Sequence, residues 1–182
     1  MKKVVLSFGL IAGAILTVMM WITLPFLDVA ADHGYVIGYT TMVVAFLLIY
    51  FGARSYRDNV AGGTVSFGRA FAVGASIALV ASVCYVASWE VMYYNVMPDF
   101  MDKYQAHALE KARQGGETDA VIARKKADMD KFAKQYRNPA FNAAVTFLEP
   151  LPVGLIIALV SAGVLSRRRR NVIASGQLER SA

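Results

Sequence analysis

The chain has 182 residues, of which 57% are hydrophobic, and it carries a formal net charge of +6 at pH 7. One soluble domain could have this length, but the apolar residues lie in long runs, and this clustering excludes an ordinary soluble fold. Four runs approach or exceed the roughly 17 to 25 residues with which a helix crosses a hydrocarbon core about 30 Å thick. Lipid offers no hydrogen-bond partners and the runs lack two-residue alternation, so the sequence predicts an all-α integral membrane four-helix bundle. The predicted spans are residues 4–27, 35–53, 67–96 and 140–165.

The first run also has features of a secretory signal, because Lys2 and Lys3 precede it. A signal core usually has about 7 to 15 apolar residues and small residues before the cleavage site. This run is longer and contains the bulky Met19, Met20 and Trp21. We therefore expect an uncleaved membrane span.

The distribution of basic residues predicts the orientation of the spans. Bases flank the N-terminus, the loop between spans two and three, and the tail 166–182, whereas the first loop, DVAADHG, has acids and no base. Both termini are therefore expected to face the cytoplasm. The segment 97–139 argues against this orientation with nine bases, but seven acids accompany them and most of the bases lie far from the membrane ends.

The basic tail directly follows span four. Its position predicts a topology anchor that attracts anionic lipid, at about 1 kcal/mol per basic residue near the surface, rather than a nucleic-acid site. The residues concerned are Arg167, Arg168, Arg169 and Arg170.

Residues 97–139, between spans three and four, form the only polar segment large enough to have structure of its own. Pro98 ends the third span, and Gly115 and Gly116 divide the segment. Apolar residues recur at helical spacing on both sides of the glycines, so we expect an extracytoplasmic hairpin of two amphipathic helices. Thr118 is expected to cap the second helix with its side chain. Each narrow apolar stripe packs on the other helix, on the bilayer surface or on a partner protein; a hairpin that merely connects the spans is the alternative.

Three polar side chains are candidate functional groups. Glu90 falls roughly 36 Å along span three, at the edge of the hydrocarbon core, among aromatic residues that are typical of an interface. Glu149 falls roughly 25 Å before the cytoplasmic end of span four, where a carboxylate usually faces a bundle interior or a cavity. The two prolines that follow it, in EPLPVG, occur at transporter binding sites and also at ordinary kinks. His33, in the first outer loop, is a weaker candidate, because a lone interfacial histidine is more often solvated.

The sequence contains no recognisable motif for catalysis, a cofactor or a metal. P-loop, dinucleotide-binding, nucleophile-elbow and HExxH patterns are all missing, so we expect no catalytic residue, no cofactor and no metal site. Cys84 is the only cysteine and lies in span three, which excludes an intramolecular disulfide. Small residues four apart, as in Gly9 and Gly13 or Gly154 and Ala158, predict close packing between helices.

The stretch TVSFGRAFAVGASIALVASVCYVASWEVMYYNVMPDFMDKY, residues 64 to 104, resembles the central part of the bacterial membrane family catalogued as domain of unknown function 4199. The matching features are SFGRAF at the start of span three and PDFMDKY after its aromatic-rich end. The four-span layout also fits, over about residues 4 to 166. The resemblance implies a bacterial inner-membrane location and this topology, and it carries no established activity.

Two functional hypotheses from different classes remain. In the first, the protein is an accessory or interaction protein whose hairpin presents aromatic side chains to a membrane or envelope partner. These side chains are Phe100, Tyr104, Phe132 and Tyr136. In the second, it is a small homo-oligomeric transporter or ion- or proton-translocating protein in which Glu149, with Glu90, binds a cation or proton. The sequence favours the first, because the hairpin takes about a quarter of the chain and no acid lies near the middle of the bilayer.

Overall fold

The computed structural model describes the backbone of residues 1–24 and 32–180 and the side chains of residues 1–24 and 36–166. Within these ranges the regular structure is entirely helical, which confirms the all-α prediction. The helices are α1 (Lys2–Thr23), α2 (Asp32–Asn59), α3 (Phe67–Asn95), α4 (Phe100–Gln114), α5 (Asp119–Tyr136), α6 (Pro139–Phe147) and α7 (Pro150–Arg180). Four helical stretches are long and apolar enough to cross a membrane: Lys2–Thr23, Val36–Asn59, Phe67–Asn95 and Pro139–Ser166.

The spanning helices pack into a bundle in which α3 contacts α1, α2 and α7, and α2 also contacts α1 and α7. Side chains with no exposed surface, such as Phe46, Ile49 and Ile77, fill its core. These residues come from α2 and α3, which face each other inside the bundle. The interior of the bundle is mainly apolar, and it also buries Ser82 on α3 and Ser161 on α7.

Small residues let α3 and α7 approach closely. A Cβ atom on Gly154 would lie 2.7 Å from the Cβ of Ala78, and one on Gly74 would lie 3.0 Å from the Cβ of Ala158. Apolar helices gain little from leaving lipid, so their association depends on such close van der Waals contact. These positions include glycines that the sequence assigns to helix packing.

The second span is longer than its apolar run. Helix α2 continues past the predicted end at Ala53 to Asn59. In the added turns, Arg54 Nε lies 3.5 Å from Asp58 Oδ2, four residues further along the helix. Such pairs support a helix whose residues are no longer apolar, so the apolar run underestimates its length. At the first span, α1 ends at Thr23, and the predicted end at residue 27 lies outside the described residues.

The fourth apolar run forms two helices, of which the first has a strong start signal. Asn138 caps α6, because its Oδ1 accepts hydrogen bonds from the N–H groups of Ala140 at 2.9 Å and Phe141 at 3.3 Å. Pro139 takes the first helical position, where no N–H donor is needed. The sequence therefore specifies where this span begins.

The break between α6 and α7 follows from proline chemistry. Pro150 has no N–H to donate to the carbonyl of Thr146, and its ring collides with that carbonyl in a continuous helix. The Thr146 carbonyl instead accepts a hydrogen bond from the N–H of Glu149 at 3.2 Å. Helix α6 consequently ends at Phe147, and α7 begins at Pro150 after a short turn.

Helices α4 and α5, with the turn between them, are called the α4–α5 segment below. Gly116 in that turn has a φ of 74°, a left-handed conformation that favours glycine. Gln105 Nε2 on α4 donates a hydrogen bond of 3.0 Å to Asp130 Oδ1 on α5. Thr118 occupies the N-cap position of α5, but its side chain makes no capping hydrogen bond, so that expectation is wrong.

The α4–α5 segment packs on one end of α3 through aromatic rings. The Trp89 ring meets Phe100 edge-on with centroids 4.9 Å apart, and Tyr93 meets Tyr136 edge-on at 5.3 Å. Such pairs contribute about 0.5–1.5 kcal/mol beyond the area they bury. Trp89 and Tyr93 are only 6% and 4% exposed. They lie inside the protein, although the sequence predicts an aromatic belt at the membrane surface.

Because of the turn before α7, the two helices of the fourth span, α6 and α7, have different neighbours. Among the described residues, the main neighbours of α6 are α3, α5 and α7, whereas those of α2 are α1, α3 and α7. Helix α2 thus packs on the second half of the fourth span and not on its first half. This difference leaves a space between α2 and α6, next to the α4–α5 segment.

Candidate functional site

A cavity of about 400 Å³ occupies this space. Its wall comes from α1, α2, α3 and α6, from both helices of the α4–α5 segment, and from the turn before α7. Small-molecule sites usually measure about 300–1,000 Å³ and are lined mainly by apolar and aromatic side chains. The aromatic lining residues are Tyr39, Tyr85, Trp89, Phe100, Tyr104, Phe132 and Tyr136.

Glu149 lines this cavity from the turn between α6 and α7. Tyr85 on α3 donates a hydrogen bond of 2.9 Å from its hydroxyl to Glu149 Oε2. Glu149 directly precedes α7, so the positive end of that helix dipole stabilises negative charge beside it. Glu149 is exposed and is one of the residues that line the cavity.

Among the described residues of the cavity wall, no basic group neutralises this carboxylate. Glu149 is the only charged residue among the described residues that line the cavity. The other polar side-chain groups among the described lining residues are the hydroxyls of threonines and tyrosines and the indole N–H of Trp89. A carboxylate in surroundings of low polarity is costly unless a charge, a proton or hydrogen bonds compensate it. The site therefore favours a positively charged group or a proton.

The four aromatic residues that the sequence assigns to a partner surface all line the same cavity. Phe100 and Tyr104 come from α4, and Phe132 and Tyr136 come from α5. Phe132 is 39% exposed, whereas Tyr136 is buried. The structure thus brings the aromatic residues of the accessory-protein hypothesis together with Glu149, the carboxylate of the transporter hypothesis.

A hydrogen-bond network fixes the α4–α5 segment to α3 and α6. Trp89 Nε1 donates to the Tyr136 hydroxyl and to Asn142 Oδ1, both at 3.0 Å. The Thr146 hydroxyl donates to Asn142 Oδ1 at 3.2 Å, so the Tyr136 hydroxyl is left to donate to Thr146, also at 3.2 Å. Burial raises the pKa of Tyr136, which keeps this hydroxyl protonated and able to donate.

The other two candidates lie apart from this site or outside the described side chains. Glu90 is half-buried on α3, and its Oε1 is covered without a hydrogen-bond partner among the described residues. It does not line the cavity. His33 lies in the first turn of α2, but its side chain is outside the described residues. Of the two candidate carboxylates, Glu149 therefore lines the cavity and Glu90 does not.

Sequence reasoning misses two residues on α3 that build the site. Tyr85 binds Glu149, and Trp89 anchors Tyr136 while also lining the cavity. The two lie four residues apart and so share one face of the helix, which is a signal that a search for period 3.6 could have found. Methionines also line the wall, and they supply an adaptable, polarisable surface. They are Met19, Met20, Met42 and Met101.

The described wall of the cavity carries a single carboxylate, that of Glu149. One carboxylate does not provide the several oxygen ligands that a metal ion needs. Within the described part of the chain, no three His, Cys, Asp or Glu residues are placed to hold a metal ion together. What the wall offers is a large apolar and aromatic surface with one negatively charged group.

Within the described residues, four apolar helical stretches of spanning length and an all-helical fold are those of a multi-pass α-helical membrane protein. A family model described as protein of unknown function (DUF4199) matches residues 7–167. The chain belongs to this family, which confirms the resemblance seen in the sequence. No curated protein and no solved structure matches the chain.

Proposed function

We propose that this is a bacterial inner-membrane protein, with both termini in the cytoplasm, that binds a small amphipathic ligand between its bundle and the α4–α5 segment. One observation carries the proposal: the aromatic side chains of the segment and the Glu149 carboxylate line one cavity. The wall offers apolar contact over most of its area and one directed polar interaction. This combination suits a ligand that has an apolar body and one polar group.

The proposal extends the transporter hypothesis rather than the accessory-protein hypothesis. Binding is the first step for a carrier and also for a sensor, and both need a covered site that a ligand can reach. The α4–α5 segment supplies the cover, and the proposed orientation puts this cover on the extracytoplasmic side. A ligand would then enter from that side.

The accessory-protein hypothesis keeps some support from exposed apolar residues on α5. Val121 is 44% exposed and does not line the cavity. A tagged Val121→Lys variant therefore separates the two functions. Loss of a co-purifying protein with ligand binding intact favours the accessory role, whereas an unchanged set of co-purifying proteins favours the ligand-binding role.

Tryptophan fluorescence can test ligand binding, because the chain has two tryptophans. Trp89 lines the cavity, whereas Trp21 does not, and its Nε1 donates to Ser88 at 2.7 Å. In a Trp21→Phe variant, all of the tryptophan emission therefore comes from Trp89 in the cavity wall. We would place this variant in lipid nanodiscs and titrate it with neopentylbenzene, a neutral aromatic compound. A saturable change in Trp89 emission is the expected result.

Two matched phenylalanine variants locate the bound probe. Gly38 lines the cavity and Gly68 does not, and at both positions a Cβ atom would meet no atom of the described residues within 4 Å. Gly38→Phe should weaken probe binding about tenfold by occupying space, as expected for the loss of roughly 1.4 kcal/mol. Gly68→Phe should leave binding unchanged. A non-saturable response that is equal in all variants would show only partition into lipid and would overturn the proposal.

A further inference from the structure

We propose that the ligand of this cavity carries an ammonium group, which makes the cavity a site for an organic cation. The inference rests on the proposed function and adds the charge of the ligand. It combines the uncompensated carboxylate with the arrangement of aromatic rings around it. Each of these observations is independent of the other.

The first observation is the balance of charge in the wall. Glu149 receives a hydrogen bond from Tyr85, and the end of α7 supplies a partial positive charge. These contributions orient the carboxylate but do not cancel its charge. Among the described lining residues there is no lysine, arginine or histidine. A cationic ligand supplies the missing charge, because its positive group is attracted to the carboxylate.

The second observation is the number and origin of the aromatic rings. Seven aromatic side chains line the cavity, and they come from α2, α3, α4 and α5. The faces of such rings are negative, and they attract an alkylated ammonium within about 6 Å of the ring centre. A neutral ligand would use only the apolar surface of these rings. An organic cation uses the rings and the carboxylate together.

Other positive ligands fit the wall less well. A metal ion needs several oxygen ligands, and the wall has one carboxylate. A proton would satisfy Glu149 but would leave the apolar volume of about 400 Å³ without a role. An alkylammonium group with an apolar body uses both features. That group can belong to a water-soluble amine or to the headgroup of a bilayer lipid.

The test compares two molecules of nearly the same shape. Benzyltrimethylammonium and neopentylbenzene differ in one atom, a charged nitrogen in place of a carbon. With Trp21→Phe protein in phosphatidylglycerol nanodiscs, we expect the cation to bind about tenfold more tightly, a difference of roughly 1.4 kcal/mol, because cation–π and carboxylate attraction add to the same apolar contact. In Glu149→Gln, this preference should fall to about threefold or lower. Glutamine can still accept the Tyr85 hydrogen bond, so the fold should persist, and the binding of neopentylbenzene to the same variant is the reference for the loss of cation preference.

Glu90→Gln is the matched control, because it removes a carboxylate that does not line the cavity. It changes the net charge by the same amount and should keep the full cation preference. Equal binding of both probes to the parent protein overturns the cation inference but leaves the proposed function standing. Binding of neither probe overturns the proposed function itself. A full cation preference in Glu149→Gln also overturns the inference, because the carboxylate is then not its cause.

The lipid composition of the nanodiscs distinguishes the two sources of the ammonium group. Phosphatidylethanolamine carries an ammonium headgroup, and phosphatidylglycerol does not. If a lipid headgroup occupies the site, benzyltrimethylammonium should bind more weakly in phosphatidylethanolamine discs to the parent protein but not to Glu149→Gln. If the ligand is a soluble amine, the ratio between the two proteins should be the same in both lipids. This comparison assigns the source of the ammonium group once the cation preference and its dependence on Glu149 have been found.

Discussion

Replacing Gly154 by alanine should weaken the packing of α7 against its neighbours. The new Cβ would lie 2.7 Å from the Cβ of Ala78 on α3 and 3.3 Å from Cζ of Phe46 on α2. Both neighbours are fully buried, so neither can move without displacing a helix. Overpacking costs about 1–3 kcal/mol, and the better helix propensity of alanine offsets up to about 1 kcal/mol. Because the shortest contact is tight, we expect an overpacking cost in the upper half of that range. After the gain in helix propensity is subtracted, the net loss of stability is about 1–2 kcal/mol.

Gly163→Ala provides the control on the same helix. A Cβ atom on Gly163 would meet nothing within 4 Å, so this variant gains helix propensity without overlap. Both variants can be unfolded in mixed micelles by titration with sodium dodecyl sulfate, with circular dichroism as the signal. We expect Gly154→Ala to unfold at a lower denaturant fraction and Gly163→Ala to unfold at or above the parent value. Equal stability of the two variants would refute the packing described for α3 and α7.

Three further predictions concern α6 and the α4–α5 segment. Asn138→Ala removes the cap of α6 and should cost about 1 kcal/mol in the same titration. Tyr136→Phe removes the hydroxyl that joins α5 to α3 and α6, at a cost of about 0.5–1.5 kcal/mol, and should speed hydrogen exchange in α5 but not in α7. Lys126 and Gln105 bind Asp130 and lower the pKa of that carboxyl from its ordinary 3.8. The contribution of the Asp130 carboxylate to stability is therefore constant above about pH 5 and is lost as the pH falls through the lowered pKa. Hydrogen exchange in α4 should accelerate over this acidic range in the parent protein, and Asp130→Asn should abolish the acceleration.

Each of these predictions has a result that would contradict it. Parent-like stability of Asn138→Ala would mean that Pro139 alone starts the helix. Uniform acceleration of exchange in Tyr136→Phe would mean that the network supports the bundle as a whole. Loss of the stabilising contribution of Asp130 near neutral pH would contradict the third prediction, because a carboxyl with a lowered pKa takes up its proton only at acidic pH.

The class of fold was predictable because the length of an apolar run is itself a physical constraint. A run of sufficient length must be a helix in lipid, and this holds whatever the helix packs against. The start of α6 was readable for a similar reason, since an asparagine before a proline satisfies the first N–H groups of a helix locally. The extension of α2 was not readable from hydropathy, because Arg54 and Asp58 stabilise the helix through their pairing.

The site depends on tertiary placement, which the sequence pattern does not contain. EPLPVG predicts a weakened helix, but it does not show that α6 leaves α2 or that the α4–α5 segment lies beside the resulting space. Trp89 and Tyr93 fit a surface belt as well as an interior cluster, because position along a span does not say which side of the helix faces lipid. Glu90 and Trp89 are adjacent in sequence, yet only Trp89 lines the cavity.

The most direct test of the proposed cation site is a crystal structure of the protein with benzyltrimethylammonium bound. We expect density for the cation between the Glu149 carboxylate and the aromatic rings of the α4–α5 segment, with its nitrogen within about 6 Å of at least one ring centre. Density for the cation elsewhere on the protein, with the side chains of the segment turned away from Glu149, would contradict it.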